Sequence, residues 1–148
     1  MILNLASVPE SRRISVLLVD DSQVFLDAAL SFLQRHHELL IIGALLSGEE
    51  ALAQAQELEP QVILVDLNMP GLSGLETIPR LRAMLPQVGI VALTILQDST
   101  CRQAALAAGA DDFVPKANLS TALLPAILQV VQARPRAASG AGQPQDDP

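Results

Sequence analysis

Residues 62–76 read VILVDLNMPGLSGLE. Val62–Val65 is an unbroken run of β-branched residues and leucine. Its shortness and lack of alternation predict a strand buried on both faces. The run stops at an acid, Asp66. Pro70 and Gly71 then mark a tight loop, and Ser73 with Glu76 has the Ser-x-x-Glu spacing of a capping box that opens a helix. The stretch is one strand–loop–helix unit with a carboxylate at the end of its strand.

The same unit recurs on both sides. Toward the N-terminus, Ile14–Val19 predicts a strand, and Ser22–His36 a helix with Phe25, Ala28, Ala29, Phe32 and Leu33 inward. Leu39–Leu45 predicts a second strand, and Glu49–Glu59 a helix with Leu52, Ala55 and Leu58 inward, stopped by Pro60. Toward the C-terminus, Val88–Leu93 predicts a strand. An Ala-rich helix follows, capped by Asp98 or Ser99 and ended by Gly109. Asp111 and Asp112 predict a solvated turn, Asp112–Val114 a short strand, and Leu119–Ala133 a last helix. Pro79 and Pro125 fall inside the third and fifth helices, where each should remove a hydrogen bond and kink the helix. Five units in strict alternation predict an α/β fold, a flavodoxin-like doubly wound parallel sheet of order 2-1-3-4-5 with five helices.

The 148 residues suit one domain. Residues 1–13 are expected to form a flexible leader and 14–133 the folded domain. Residues 134–148, rich in Pro, Ala, Gly, Gln and Asp, are expected to be a disordered tail or linker. Half the chain is apolar with mean hydropathy +0.37, enough for a sizeable core. No apolar run nears the roughly 20 residues of a membrane span. The segment MILNLASVPESRR has no basic stretch before its apolar residues, against a signal peptide, and a cytoplasmic location is expected. A net charge of −7, a pI near 4.6 and scattered arginines argue against direct nucleic-acid binding. Cys101 is the only cysteine, which excludes an internal disulfide. His36 and His37 are expected to meet the dipole at a helix end rather than a metal.

Polar residues collect at strand ends: Asp20 and Asp21 after the first, Asp66 after the third, Thr94 after the fourth, Lys116 after the fifth. The second strand ends in Ala44-Leu45-Leu46. In an open parallel sheet, ligands bind beyond the carboxyl ends of the strands where the order reverses. In this order that point lies between strands one and three, the two that carry the acids. Two like charges about 4 Å apart cost on the order of 4 kcal/mol at an effective dielectric of about 20, so a cluster of acids calls for a hard cation. Mg²⁺ fits oxygen donors. Three Asp and one Lys sum to −2, and Mg²⁺ brings the site to zero. Phosphoryl transfer needs positioning and charge neutralisation of this kind. Asp66 would attack as the nucleophile, while Lys116 and the Thr94 hydroxyl hold the phosphoryl oxygens. Of nine basic residues eight are Arg; the single Lys116 is either chance or a position where a wide guanidinium would not serve.

The set Asp20-Asp21, VDLNMPGLSGLE around Asp66, ALT ending in Thr94 and AGADDFVPK ending in Lys116 resembles the receiver domains of two-component response regulators, from about Ile14 to Gln132. Details such as GLETIPRLR resemble receivers that carry a helix-turn-helix output domain. The resemblance implies Asp66 as phosphoacceptor, charged by a histidine kinase or phosphotransfer protein. It implies Mg²⁺ (or Mn²⁺) held by Asp21 directly, by Asp20 mainly through water, by Asp66 and by the backbone carbonyl of Asn68. It further implies Thr94 and Lys116 on the phosphoryl group, Phe113 as the aromatic that swings inward, and a homodimer or downstream protein on the helix 4–strand 5–helix 5 face. Phe113 departs from the frequent Tyr. Pro115 precedes the Lys instead of following it, which leaves open whether a peptide there is cis.

Two other functions compete. Haloacid dehalogenase-type phosphatases also phosphorylate a strand-end Asp, but use an acid two residues later. Here that residue is Asn68, which cannot shuttle a proton, so slow self-dephosphorylation is expected instead of an enzyme. A phosphate-independent pseudo-receiver would lack part of the acidic set or the Lys, and this chain has both.

Overall fold

The computed structural model describes residues 9, 12–96 and 98–133. The expected leader lies almost wholly, and the expected tail wholly, outside the described residues. The elements run β1 (Ile14–Val19), α1 (Gln23–Leu33), β2 (Leu39–Leu45), α2 (Gly48–Leu58), β3 (Val62–Asp66), α3 (Gly74–Met84), β4 (Gly89–Thr94), α4 (Ser99–Ala108), β5 (Asp112–Pro115) and α5 (Leu119–Ala133). The five strands form one parallel sheet of order 2-1-3-4-5, the expected flavodoxin-like arrangement.

The central strands β1, β3 and β4 are buried along nearly their whole length, as continuous apolar runs require. Alternate strand residues feed two cores. Leu17, Val19, Ile63, Val65 and Ile90 meet α2, α3 and α4 on one face. Val16, Leu18, Leu64, Val91 and Val114 meet α1 and α5 on the other.

Local chemistry sets the helix ends. Ser22, Ser47 and Asp98 are N-caps whose side chains accept backbone N–H groups from Phe25, Glu50 and Cys101. Ser73 and Glu76 form the reciprocal capping box. The cap of α4 is thus Asp98, and Ser99 is the first helical residue. The helix before Pro60 ends on Glu59 in the left-handed region, φ 53°, a turn that a non-glycine residue seldom takes. Helices α3 and α5 run uninterrupted through Pro79 and Pro125. All described peptides are trans, including those flanking Pro115.

The expected solvated turn at Asp111-Asp112 is corrected. Asp111 is half-buried in a polar network at the start of β4 and β5. Its carboxylate accepts from the Ile90 N–H and from Arg82 Nη2, both at 2.8–2.9 Å. The Arg82 guanidinium also donates to the carbonyls of Gly109, Pro86 and Val88. One side chain from α3 thereby ties together the turns that lead into β4 and β5. No helix among the described residues is long and apolar enough to cross a membrane.

Candidate functional site

Adjacent strands β1 and β3 end side by side, Val19 being in register with Val65. The next residue on each chain, Asp20 and Asp66, is therefore delivered to the same spot. Both are buried, with 1% and 2% exposure, as is Thr94 with 0%. Asp21 is exposed. Carboxylate oxygens of Asp20, Asp21 and Asp66 all lie within 4.8 Å of one another. The sheet order thus makes one acidic cluster out of residues 45 and 46 positions apart.

Neither Asp caps α1. Ser22 does, and Asp20 Oδ1 accepts the Ser22 N–H at 2.9 Å. Asp20 Oδ2 is buried without a hydrogen bond among the described residues; it is held by an ion pair with Lys116 Nζ at 2.7 Å. The same ammonium lies 3.5 Å from Asp66 Oδ1, and 4.1 Å from the centre of the Phe25 ring. Asp66 Oδ1 also accepts a long hydrogen bond, 3.4 Å, from the Asn68 N–H. Burial and the negative charge of Asp20 push the Asp66 carboxyl up to about 6, against the pull of Lys116 and Asn68. The Asp66 carboxylate is therefore a strained anion, and extra positive charge would relieve it. Three carboxylates with oxygens within 4.8 Å of one another, one of them exposed and all offering oxygen donors, fit a hard divalent cation.

Lys116 opens a 3-10 turn directly after β5. Thr94 closes β4 and its Oγ1 accepts the Leu96 N–H at 3.0 Å. Phe113 is buried in the core beneath α3 and α4. The residues expected from the sequence thus gather at the C-terminal edge of the sheet, with Phe113 just below it.

Several supporting residues were not legible. Gly74, the first residue of α3, lies so close to the end of β3 that a Cβ there would collide with the Asp66 carbonyl and the Leu67 backbone. Gly71 has φ +72° and sits against the Glu49 carboxylate, which accepts the Leu72 N–H at 3.2 Å. These contacts fix the loop that carries Asn68. Phe25, expected only as an inward helix residue, faces the Lys116 ammonium. Its signal was an aromatic one turn into the helix that follows the acidic pair.

The sequence profile of the response regulator receiver domain matches residues 16–128. The chain is 32% identical over 117 residues to the transcriptional regulatory protein LnrK of Bacillus subtilis, covering 79% of this chain and 53% of that one. It is 41% identical over 105 residues to a protein-glutamate methylesterase/protein-glutamine glutaminase of Bacillus licheniformis, covering 70% of this chain and 29% of that one. It spans about half the length or less of these curated relatives. The response regulator domain of Thermotoga maritima CheB superposes with a TM-score of 0.74 at 28% identity, covering 82% of this chain and 98% of that one. On the profile match, these likenesses and the sheet order, this chain belongs to the response regulator receiver domain family of two-component systems.

Proposed function

We propose that Asp66 is the phosphoacceptor of this receiver and that the phosphoryl group switches its contacts with a partner or an output domain. The observation that carries this is the pair of buried carboxylates, Asp20 and Asp66, at neighbouring strand ends with one ammonium between them. A carboxylate oxygen of Asp66 attacks phosphorus in a phosphohistidine donor. The P–O bond forms as the P–N bond breaks, and the imidazole leaves with the bonding electron pair. Lys116 shifts its charge from the acids to the phosphoryl oxygens, and the Thr94 hydroxyl donates to one of them. Mg²⁺ or Mn²⁺, held by Asp20, Asp21, Asp66 and the Asn68 carbonyl, would supply positive charge against those oxygens.

The donor in this reading is a histidine kinase or phosphotransfer protein, and the domain acts in the cytoplasm. Asn68 stands where a hydrolase would need an acid, which supports a lasting mark with slow self-dephosphorylation. Movement of Thr94 and Lys116 toward the phosphoryl group would pull on β4, β5 and Phe113. The change would then reach the α4–β5–α5 face, where a second copy or a downstream protein would dock. A test is an NMR titration with beryllofluoride, a phosphoryl mimic, in the presence of Mg²⁺. Shifts at Asp66, Thr94, Lys116 and along α4 are expected. Unchanged spectra at saturating Mg²⁺ would sink the reading in favour of a phosphate-independent interaction module.

A further inference from the structure

Four contacts form a closed circuit around the Lys116 ammonium. Asp20 Oδ1 accepts the Ser22 N–H at 2.9 Å. Ser22 Oγ accepts the Phe25 N–H at 3.2 Å. The Phe25 ring centre lies 4.1 Å from Lys116 Nζ, and Lys116 Nζ returns to Asp20 Oδ2 at 2.7 Å. The N-cap of α1 thus places an aromatic ring at a set distance from the acid that pairs with the lysine. Phe25 is half-buried and packs against the core that α1 and α5 share with the sheet, so its ring is backed by side chains.

We propose that Phe25 is a positioning residue for Lys116, its ring face holding the ammonium at the phosphoryl site. A lysine has four rotatable bonds and would otherwise sample solvent. The negative face of the ring takes one side of the ammonium, and the carboxylates of Asp20 and Asp66 take the others. Such a contact is strongest where water is excluded, and the Lys116 side chain is only 16% exposed. The cation therefore approaches an incoming phosphoryl group from a prepared position, and its ordering cost falls before the phosphoryl group arrives. This inference rests on the phosphoacceptor reading of Asp66.

The test uses the full chain. Lys116 is its only lysine, so selective isotope labelling of lysine gives one ε-methylene signal. In the wild type that signal should be shifted by the ring current and split into two inequivalent protons, without any phosphoryl analogue. Phe25→Leu keeps most of the volume and removes the face. It should collapse the splitting and weaken beryllofluoride binding about three- to tenfold, while Phe25→Tyr should restore both. Site-specific phenylalanines with increasing ring fluorination keep the shape and weaken the face; affinity should fall stepwise along that series, and the series decides the matter if Phe25→Leu does not fold. A flat fluorine series, or a Tyr variant as weak as Leu, would overturn the proposal. Loss of beryllofluoride binding in the wild type would fault the Asp66 reading instead; the unshifted or shifted lysine signal would still judge the ring contact.

Discussion

Lys116 sits closer to Asp20 than to the proposed phosphoacceptor, 2.7 Å against 3.5 Å. Its charge thus rests mainly on a neighbouring acid, and in the proposed reading it would pass to the phosphoryl group on Asp66. Lys116→Arg and Lys116→Ala should still bind Mg²⁺ and accept phosphate slowly. They should fail to move Thr94 and Phe113, because a guanidinium is too wide for the handover and alanine has no charge to hand over. NMR with beryllofluoride checks this. Wild-type shifts at Phe113 and along α4 in Lys116→Arg would mean that any cation suffices.

Divalent cation should raise the melting temperature, since it binds the folded acids and relieves their repulsion. Asp21 is the exposed member of the cluster, so Asp21→Ala should fold normally and lose most of the increase. Calorimetry with and without Mg²⁺ reads this out. An undiminished rise in the variant would place the cation elsewhere.

Burial and Asp20 hold the Asp66 carboxyl at about 6 instead of 3.8. The folded chain therefore binds this proton more tightly than the unfolded one. The stabilisation it brings is complete below about pH 4 and is lost as pH rises through about 6. Without divalent cation, Asp66→Asn should gain on the wild type over that window by on the order of 2–3 kcal/mol. Urea unfolding at several pH values tests it. A difference that does not vary with pH would mean that Asp66 is not under the strain described.

Arg82 donates to three carbonyls and to Asp111 at the edge of the sheet opposite the acids. Arg82→Ala would take a donor from the part-buried carbonyls of Gly109 and Val88 and remove the ion pair of Asp111, which keeps the Ile90 N–H, at a cost of about 1–3 kcal/mol. Phosphoryl uptake should persist, since the network lies away from Asp66. Unfolding free energies and acetyl phosphate labelling together check this; a loss under about 0.5 kcal/mol would make the network ornamental.

Much of this was readable beforehand, for a physical reason. Buried parallel strands need continuous apolar runs, so Val62–Val65 and its counterparts announce themselves, and the polar residue that stops each run lands on the C-terminal edge of the sheet. Asp20, Asp66, Thr94 and Lys116 were found that way. Contacts between faces leave no such periodic trace. Asp111 looked like a turn residue because its partner, Arg82, is 29 positions away on another element. Phe25 fitted a helix core pattern equally well whether or not a lysine lay over its ring. Gly74 reads as a helix start, and only the closeness of the Asp66 carbonyl explains why a Cβ is excluded there. Pro79 and Pro125 lie inside α3 and α5, as the sequence led one to expect; tertiary packing keeps both helices continuous despite the low helix propensity of proline.

The central claim is that Asp66 carries the phosphoryl group. The most direct measurement is intact-protein and peptide mass spectrometry after treatment with acetyl phosphate and Mg²⁺, on wild type and Asp66→Asn. The account predicts one phosphoryl group on the wild type, mapped to the peptide containing Asp66, and none on the variant, with both chains folded by circular dichroism. A variant phosphorylated to the wild-type extent, or a wild type that takes up nothing, would contradict it.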